Sequence, residues 1–130
     1  MELFQELSLQ NNLVVQIWDT SRPIAADTTK VAVKIIVKVN IRPDYFDNHE
    51  DFTLVRNVFG SEITYTHEKE RTFVHTPDKD SVFTGLIEDF KRDSLHYIAR
   101  TTFPHRFVHS KLRDIRERPH RYRQHTGTTA

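Results

Sequence analysis

The sequence predicts an α+β fold, a mostly antiparallel sheet of about four strands with two or three helices concentrated in the C-terminal half. Strand-like alternation of apolar and polar residues dominates the first part of the chain, and helical spacing of apolar residues dominates the last part. Because the strands run together instead of alternating with helices, an antiparallel sheet with helices on one face is favoured over a parallel, doubly wound sheet.

The strongest strand signal lies in residues 31–41. All six odd-numbered positions are valine or isoleucine, whereas the even-numbered positions include Lys34, Lys38 and Asn40. A period of two with one β-branched face indicates a strand that packs on a core. We expect this face to meet the apolar stripe of a later helix, with roughly 1.5–3 kcal/mol from each buried side chain.

The other strands are predicted from weaker patterns. Residues 3–19 indicate a β-hairpin whose turn, residues 10–12, contains two asparagines, which tolerate positive φ. Residues 24–29 are expected to be a connection. Residues 63–74 are strand-like with a polar middle, which is typical of an edge strand or of two short strands.

The first predicted helix covers about residues 48–59. Asp47 or Asn48 can cap its start, and Gly60 stands where a left-handed C-terminal residue belongs. This capping role is favoured over a cation site for the acidic residues nearby.

Two more helices are predicted after the fourth strand. One starts at Thr76, an N-cap followed by proline, and continues to about residue 100. Gly85 within it is expected to allow a close approach to the sheet. The other opens at Pro104 and ends before Pro119.

Length and composition limit the classes of protein to which the chain can belong. We expect residues 1–118 to form a single domain and residues 119–130 to form a flexible basic tail. Three glycines and no cysteine exclude glycine-rich phosphate loops, disulfides and thiolate chemistry. There is no nucleophile-elbow motif, no secretory signal and no apolar run near the roughly 18 residues of a membrane span, so a cytoplasmic protein is expected.

The charge is asymmetric along the chain. From Arg100 onward there are eight Lys or Arg against two acidic residues, a formal charge of +6, whereas residues 1–99 carry 11 against 16, which is −5. The basic end either binds an anionic partner or folds back on its own acidic body. The residues expected to contact an anionic partner are Arg106, Arg113, Arg116, Arg118, Arg121 and Arg123.

Two histidines are the candidates for a metal site. His105 and His109 are four residues apart on a predicted helix, so their rings share one face and could hold a divalent metal. No third ligand is specified, although His75 is conceivable. A positive, solvated helix surface is the favoured interpretation of the pair, and no cofactor is predicted.

Residues 19–27, running into the alternating strand, resemble a short signature in a family of small uncharacterised bacterial proteins, which implies no function. Its Asp-x-Ser element is also similar to part of the PilZ domain, which binds a cyclic dinucleotide. That resemblance implies contact roles for Asp19, Ser21 and Arg22, although the upstream arginine motif and the glycine after Ser21 are absent. The residues themselves favour a turn that fixes the start of the strand.

The favoured functional hypothesis is a non-catalytic interaction module that engages a protein or an anionic polymer through its basic C-terminal region. The alternatives are a nucleic-acid-binding protein and a ligand- or metal-dependent protein, which includes an enzyme. The last requires a concave pocket lined by several of the histidines His67, His75, His105 and His109. Homo-oligomerisation through strand edges is compatible with each hypothesis, and no membrane partner is expected.

Overall fold

The computed structural model describes residues 1–122 and has the predicted α+β architecture. Five strands pair in one antiparallel sheet, and the helices lie mostly in the C-terminal half. The chain divides into two compact units, one formed by Met1–Val37 with Tyr65–Arg100 and the other by Lys38–Thr64 with the segment that starts at Thr101.

The elements have the following bounds. The strands are β1 (Glu2–Ser8), β2 (Val14–Asp19), β3 (Arg22–Ala25), β4 (Thr28–Asn40) and β5 (Glu62–His75). Helix α1 is His49–Phe59; helix α2 begins as Lys79–Phe90 and continues through a π-helical turn, Lys91–Leu95, to His96–Ile98; and helix α3 is Phe103–Glu117. Short 3-10 turns occur at Pro43–Tyr45, Thr76–Asp78 and Pro119–Tyr122.

Strand β4 is the centre of the sheet, since it pairs with β2, β3 and β5. Every odd-numbered residue of β4 is buried, whereas Lys34 is half-buried and Lys38 and Asn40 are exposed. The period-two prediction for this stretch is therefore confirmed, and the β-branched face is the core face.

Strand β3 was not predicted, because residues 24–29 were expected to be a connection. All four residues of β3 are exposed, so no alternation of apolar and polar residues marks it. It forms by pairing, in a register that continues from β2: Asp19 faces Val33, and Arg22 faces Lys30. Tertiary hydrogen bonding here overrides a weak local preference.

The predicted hairpin of β1 and β2 is confirmed, with an antiparallel ladder and a positive φ of 67° at Asn12. The turn of this hairpin also caps the C-terminal end of α2. Asn11 donates hydrogen bonds from Nδ2 to the carbonyl oxygens of Ile98 and Arg100, both at 2.8 Å. These carbonyls lie at the helix end, where backbone acceptors lack partners within the helix.

Helix α2 packs on the sheet through aromatic rings. Phe83 meets Phe4 edge-on at 5.0 Å between ring centroids, and Phe90 lies 6.3 Å from the His67 ring. The expected close approach at Gly85 is wrong, since a Cβ built there would meet nothing within 4 Å.

The start of α2 also differs from prediction. Thr76 does not cap the helix; its hydroxyl instead hydrogen-bonds the Thr29 hydroxyl at 2.9 Å, and its amide donates to the Asp27 carbonyl at 2.8 Å. The 3-10 turn Thr76–Asp78 precedes the α-helix, which has no side-chain cap. Thr76 therefore anchors the helix start to the sheet.

In the second unit the caps of α1 are as predicted. Asn48 accepts a hydrogen bond from the Asp51 amide at 2.8 Å, and Gly60 has a φ of 84° while its amide donates to the Arg56 carbonyl. Helix α3 buries the stripe Pro104, Val108, Leu112 and Ile115. This spacing leaves the opposite face of α3 to solvent.

The predicted tail begins at residue 119. Its first four residues form the turn Pro119–Tyr122, and residues 123–130 lie outside the described part of the chain. The flexibility of the tail and the single-domain boundary at residue 118 remain predictions.

Candidate functional site

Two of the predicted arginines and the two candidate histidines lie along the exposed side of α3. Arg106, His109 and Arg113 follow the spacing i, i+3 and i+7, so they share one helix face, and His105 lies one turn before His109. Arg106, Arg113 and His105 are exposed, and His109 is half-buried. This face is exposed because the apolar stripe on the opposite side of α3 is buried.

Three of the predicted arginines are engaged inside the protein. Arg116 bonds the Asp51 carboxylate of α1. Arg118 contacts the Asp114 carboxylate at 2.7 Å, and Arg121 lies 3.7 Å from the same oxygen. Arg116 contacts a carboxylate of residues 1–99, as expected of a basic end that folds back on the acidic body, whereas Arg118 and Arg121 pair with a carboxylate of the basic end itself.

Asp114 organises the end of α3. The Tyr122 hydroxyl donates a hydrogen bond to this carboxylate, and that bond, followed by the one from Arg118, holds the pKa of Asp114 below its ordinary value. The same bond to Asp114, with a further contribution from burial, raises the pKa of Tyr122. Asp114 therefore offsets part of the positive charge at the C-terminal end of the helix.

Arg106 and Arg113 remain available. Both side chains are exposed, and neither forms an ion pair with another residue of the described part of the chain. Arg123, the sixth predicted arginine, lies outside the described residues. Of the five predicted arginines that the structure describes, two therefore lie on one face of α3 without an ion-pair partner among the described residues.

The two candidate metal ligands form a stacked pair beside these arginines. The rings of His105 and His109 are nearly parallel, at 6°, with centroids 4.3 Å apart. His109 Nε2 lies 2.5 Å from the Tyr45 carbonyl oxygen, and since a carbonyl only accepts, Nε2 carries the proton. The Phe46 ring also stacks with the His109 ring, with centroids 5.9 Å apart.

Tyr45 and Phe46 were not singled out from the sequence as neighbours of the pair, and no local signal could have found them, because 64 residues separate Tyr45 from His109. Burial raises the pKa of the Tyr45 phenol, with a smaller lowering by Arg42 and a raising by Asp44. The 3-10 turn Pro43–Tyr45 thus forms one wall of the histidine pair.

This arrangement does not form a ready metal centre. The lone pairs of two parallel rings lie in separate parallel planes, so one ion cannot lie in both planes. Within residues 1–122, no group of three or more His, Asp or Glu side chains is placed to hold a metal ion. The stacked pair lies on α3 beside Arg106 and Arg113.

A cleft of about 540 Å³ lies in the first unit. Its lining includes Asp19, Ser21 and Arg22 but none of His67, His75, His105 and His109. The charged lining residues are Glu2, Asp19, Arg22, Lys79 and Asp80. Cations and carboxylates are therefore mixed in the lining of this cleft.

The residues around Asp19 have a structural role at the rim of this cleft. Asp19 accepts a hydrogen bond from the Ser21 amide at 2.9 Å, and Ser21 Oγ accepts one from the Ala32 amide at 3.0 Å. These bonds hold the corner between β2 and β3, as the turn interpretation of the sequence predicts.

Among the described residues, no helix is both long enough and apolar enough to span a membrane. Comparison with protein-family models, with curated protein sequences and with solved structures finds no match. The resemblance of residues 19–27 to a bacterial family therefore stays a prediction.

Proposed function

We propose that the protein is a non-catalytic interaction module that binds an anionic partner through Arg106 and Arg113. The observation that supports this proposal is the division of the basic residues. Arg116, Arg118 and Arg121 have intramolecular carboxylate partners, whereas Arg106 and Arg113 are exposed together without one in the described part of the chain.

The geometry suits recognition by charge. Arg113 follows Arg106 at i+7 on the α-helix, which places the two residues about 10 Å apart along the axis. A guanidinium group can make paired hydrogen bonds to carboxylate or phosphate. A helix anchored by a buried stripe fixes the backbone positions of both arginines, so only their exposed side chains must become ordered when a partner binds.

The partner is expected to be an acidic protein segment or a nucleic acid in the bacterial cytoplasm, a location that suits a protein without cysteine. The two partner classes differ in how they respond to salt and sequence. Nucleic acid binds with a steep salt dependence and little sequence preference when only phosphates are contacted.

The test is binding of the full chain to a single-stranded oligonucleotide, a duplex and poly-glutamate across a salt series. The double variant Arg106→Ala/Arg113→Ala should weaken binding and lower the salt slope by about 1.4 on the single strand or 1.8 on the duplex. The matched control is Lys38→Ala/Arg71→Ala, which removes the same charge from exposed positions on the sheet.

Equal losses for the two double variants would show that binding follows net charge and would overturn the assignment to α3. Binding of poly-glutamate without either oligonucleotide would identify an acidic protein as the partner class. Absence of binding to all three probes at about 50 mM salt would remove the anionic partner altogether.

A further inference from the structure

We propose that the anionic partner of α3 is a single-stranded nucleic acid, and that the His105 ring is the platform on which one of its bases stacks. This inference rests on the proposed function and names the partner of the same site. It starts from the positions of the side chains on the helix. His105, His109 and Arg113 follow one another at i, i+4 and i+8. Arg106 lies at i−3 from His109, so the ring and both guanidinium groups belong to one side of α3.

The His105 ring lies at the end of a short aromatic stack. His109 is half-buried and stacks with Phe46, at 5.9 Å between ring centroids, and with His105, at 4.3 Å. Within residues 1–122, His109 is the one ring stacked on His105, since the Tyr45 ring meets His105 edge-on, at 69°. Because His105 is exposed, its ring can take a further flat group.

The platform is held in place before a partner binds. The Tyr45 carbonyl oxygen accepts a hydrogen bond from His109 Nε2, which fixes the ring against which His105 is stacked. Tyr45 belongs to the turn Pro43–Tyr45, so two elements of the second unit, this turn and α3, hold the stack together. A ring that is already oriented loses less conformational freedom when a base stacks on it.

The ring beside the two arginines favours nucleic acid over an acidic protein segment. Carboxylates would use Arg106 and Arg113 alone, whereas a nucleotide offers a phosphate to a guanidinium group and a flat base to the ring. Histidine is one of the aromatic side chains on which unpaired bases stack. In a duplex, neighbouring base pairs already cover both faces of each base, so the platform selects a single strand.

The test compares two oligonucleotides that have the same number of phosphates. One is oligothymidylate of about 12 nucleotides, and the other is its abasic analogue, which has no bases. Binding is measured by fluorescence anisotropy at pH about 8 with a chelator present, where imidazoles are neutral and free metal ions are removed. We expect wild type to bind oligothymidylate about 5- to 100-fold tighter than the abasic analogue, with the same salt slope, because stacking adds affinity without a phosphate contact.

Substitutions at His105 separate stacking from the other properties of this side chain. His105→Ala should bind the two oligonucleotides with equal affinity. His105→Phe should keep the preference for oligothymidylate, because a phenyl ring stacks on bases but neither binds a metal ion nor takes up a proton. The matched control is His96→Ala, which removes an exposed histidine from α2 in the first unit and should keep the preference. Circular dichroism confirms that each variant is folded.

Three results would overturn the stacking role. They are equal binding of the two oligonucleotides by wild type, a preference for oligothymidylate that survives in His105→Ala, and loss of this preference in His105→Phe. The last result would show that the side chain acts through its nitrogen atoms and not through its flat ring.

The failure of the proposed function has a different signature, which is measured with the abasic analogue. If Arg106→Ala/Arg113→Ala binds this analogue as tightly as wild type does, the α3 surface itself is wrong, and the stacking role fails with it. If that variant loses binding while wild type shows no preference for oligothymidylate, the surface stands and only the stacking role fails. Binding of poly-glutamate without either oligonucleotide would also keep the surface and would reject nucleic acid as the partner.

Discussion

Helices α2 and α3 both carry charged residues and both bury an apolar stripe, but they differ in whether their arginines have carboxylate partners. In α2, Arg92 lies between two carboxylates, Asp89 at 2.9 Å and Asp93 at 3.0 Å. In α3, acidic partners occur only toward the C-terminal end, and Arg106 and Arg113 have none among the described residues. The difference shows that the count of basic residues does not reveal which of them are available to a partner.

The two helices also end differently. The last carbonyls of α2 accept hydrogen bonds from Asn11, a residue 87 positions away in the sequence from Ile98. The end of α3 is closed by its own neighbours, since Arg118 and Tyr122 both bond Asp114. Helix α2 is thus fixed by the sheet hairpin, whereas the end of α3 depends on local side chains.

The largest expected effect is on the free energy of unfolding, when a buried ring is removed from either helix. Phe90→Ala in α2 and Phe103→Ala in α3 each remove a ring that is at most 2% exposed, and each should lower the free energy of unfolding by roughly 3–5 kcal/mol. If residues 1–118 form one cooperative domain, Trp18 fluorescence and far-ultraviolet circular dichroism will give the same denaturation midpoint in both variants. Separate midpoints would show that the two units unfold independently.

A smaller effect is expected at the end of α2. Asn11→Ala removes two hydrogen bonds to helix carbonyls and one accepted from the Leu13 amide, and should lower the free energy of unfolding by about 1–3 kcal/mol in urea denaturation. Gln10→Ala is the matched control, because the Gln10 side chain makes one exposed contact of 3.4 Å to the Ala99 carbonyl. Equal effects of the two variants would contradict a specific closing role for Asn11.

The smallest effect on stability, but the sharpest on binding, is expected at Asp114. Asp114→Asn removes the carboxylate beside Arg121 and the nearer of two carboxylates beside Arg118, which also lies 3.9 Å from Glu117, so the salt slope of oligonucleotide binding should steepen by up to about 1.4. Asp89→Asn makes the same charge change in α2 and should leave the slope unchanged. A steeper slope in both variants would mean that net charge alone governs binding.

Asp114→Asn should also change how the stability of the protein depends on pH. The pKa of Asp114 is lowered in the folded protein, so its contribution to stability is present above the pKa of the unfolded chain and is lost as pH falls through the folded value. Acid denaturation of wild type should therefore be steeper below about pH 4 than that of Asp114→Asn. Parallel acid-denaturation curves would show that the Asp114 cluster does not contribute.

Local patterns were sufficient where one residue type dictates one backbone geometry. The β-branched alternation of residues 31–41 predicts a strand with one buried face, and β4 has that form. Asn48 and Gly60 mark the ends of α1, because a side-chain acceptor and a tolerated positive φ are local requirements. The π-helical turn in α2 carries no comparable sequence signal.

The sequence by itself determined the α+β class, the buried face of the central strand and the basic character of the C-terminal end. Only the tertiary structure decided that β3 pairs with β4, that Thr76 bonds Thr29, and that Asp51 neutralises Arg116 from 65 positions away. The physical reason is the distance along the sequence over which each interaction acts. Periodicity and capping act within one or two turns of chain, whereas the pairing of a charge depends on which distant residue the fold brings within a few ångströms.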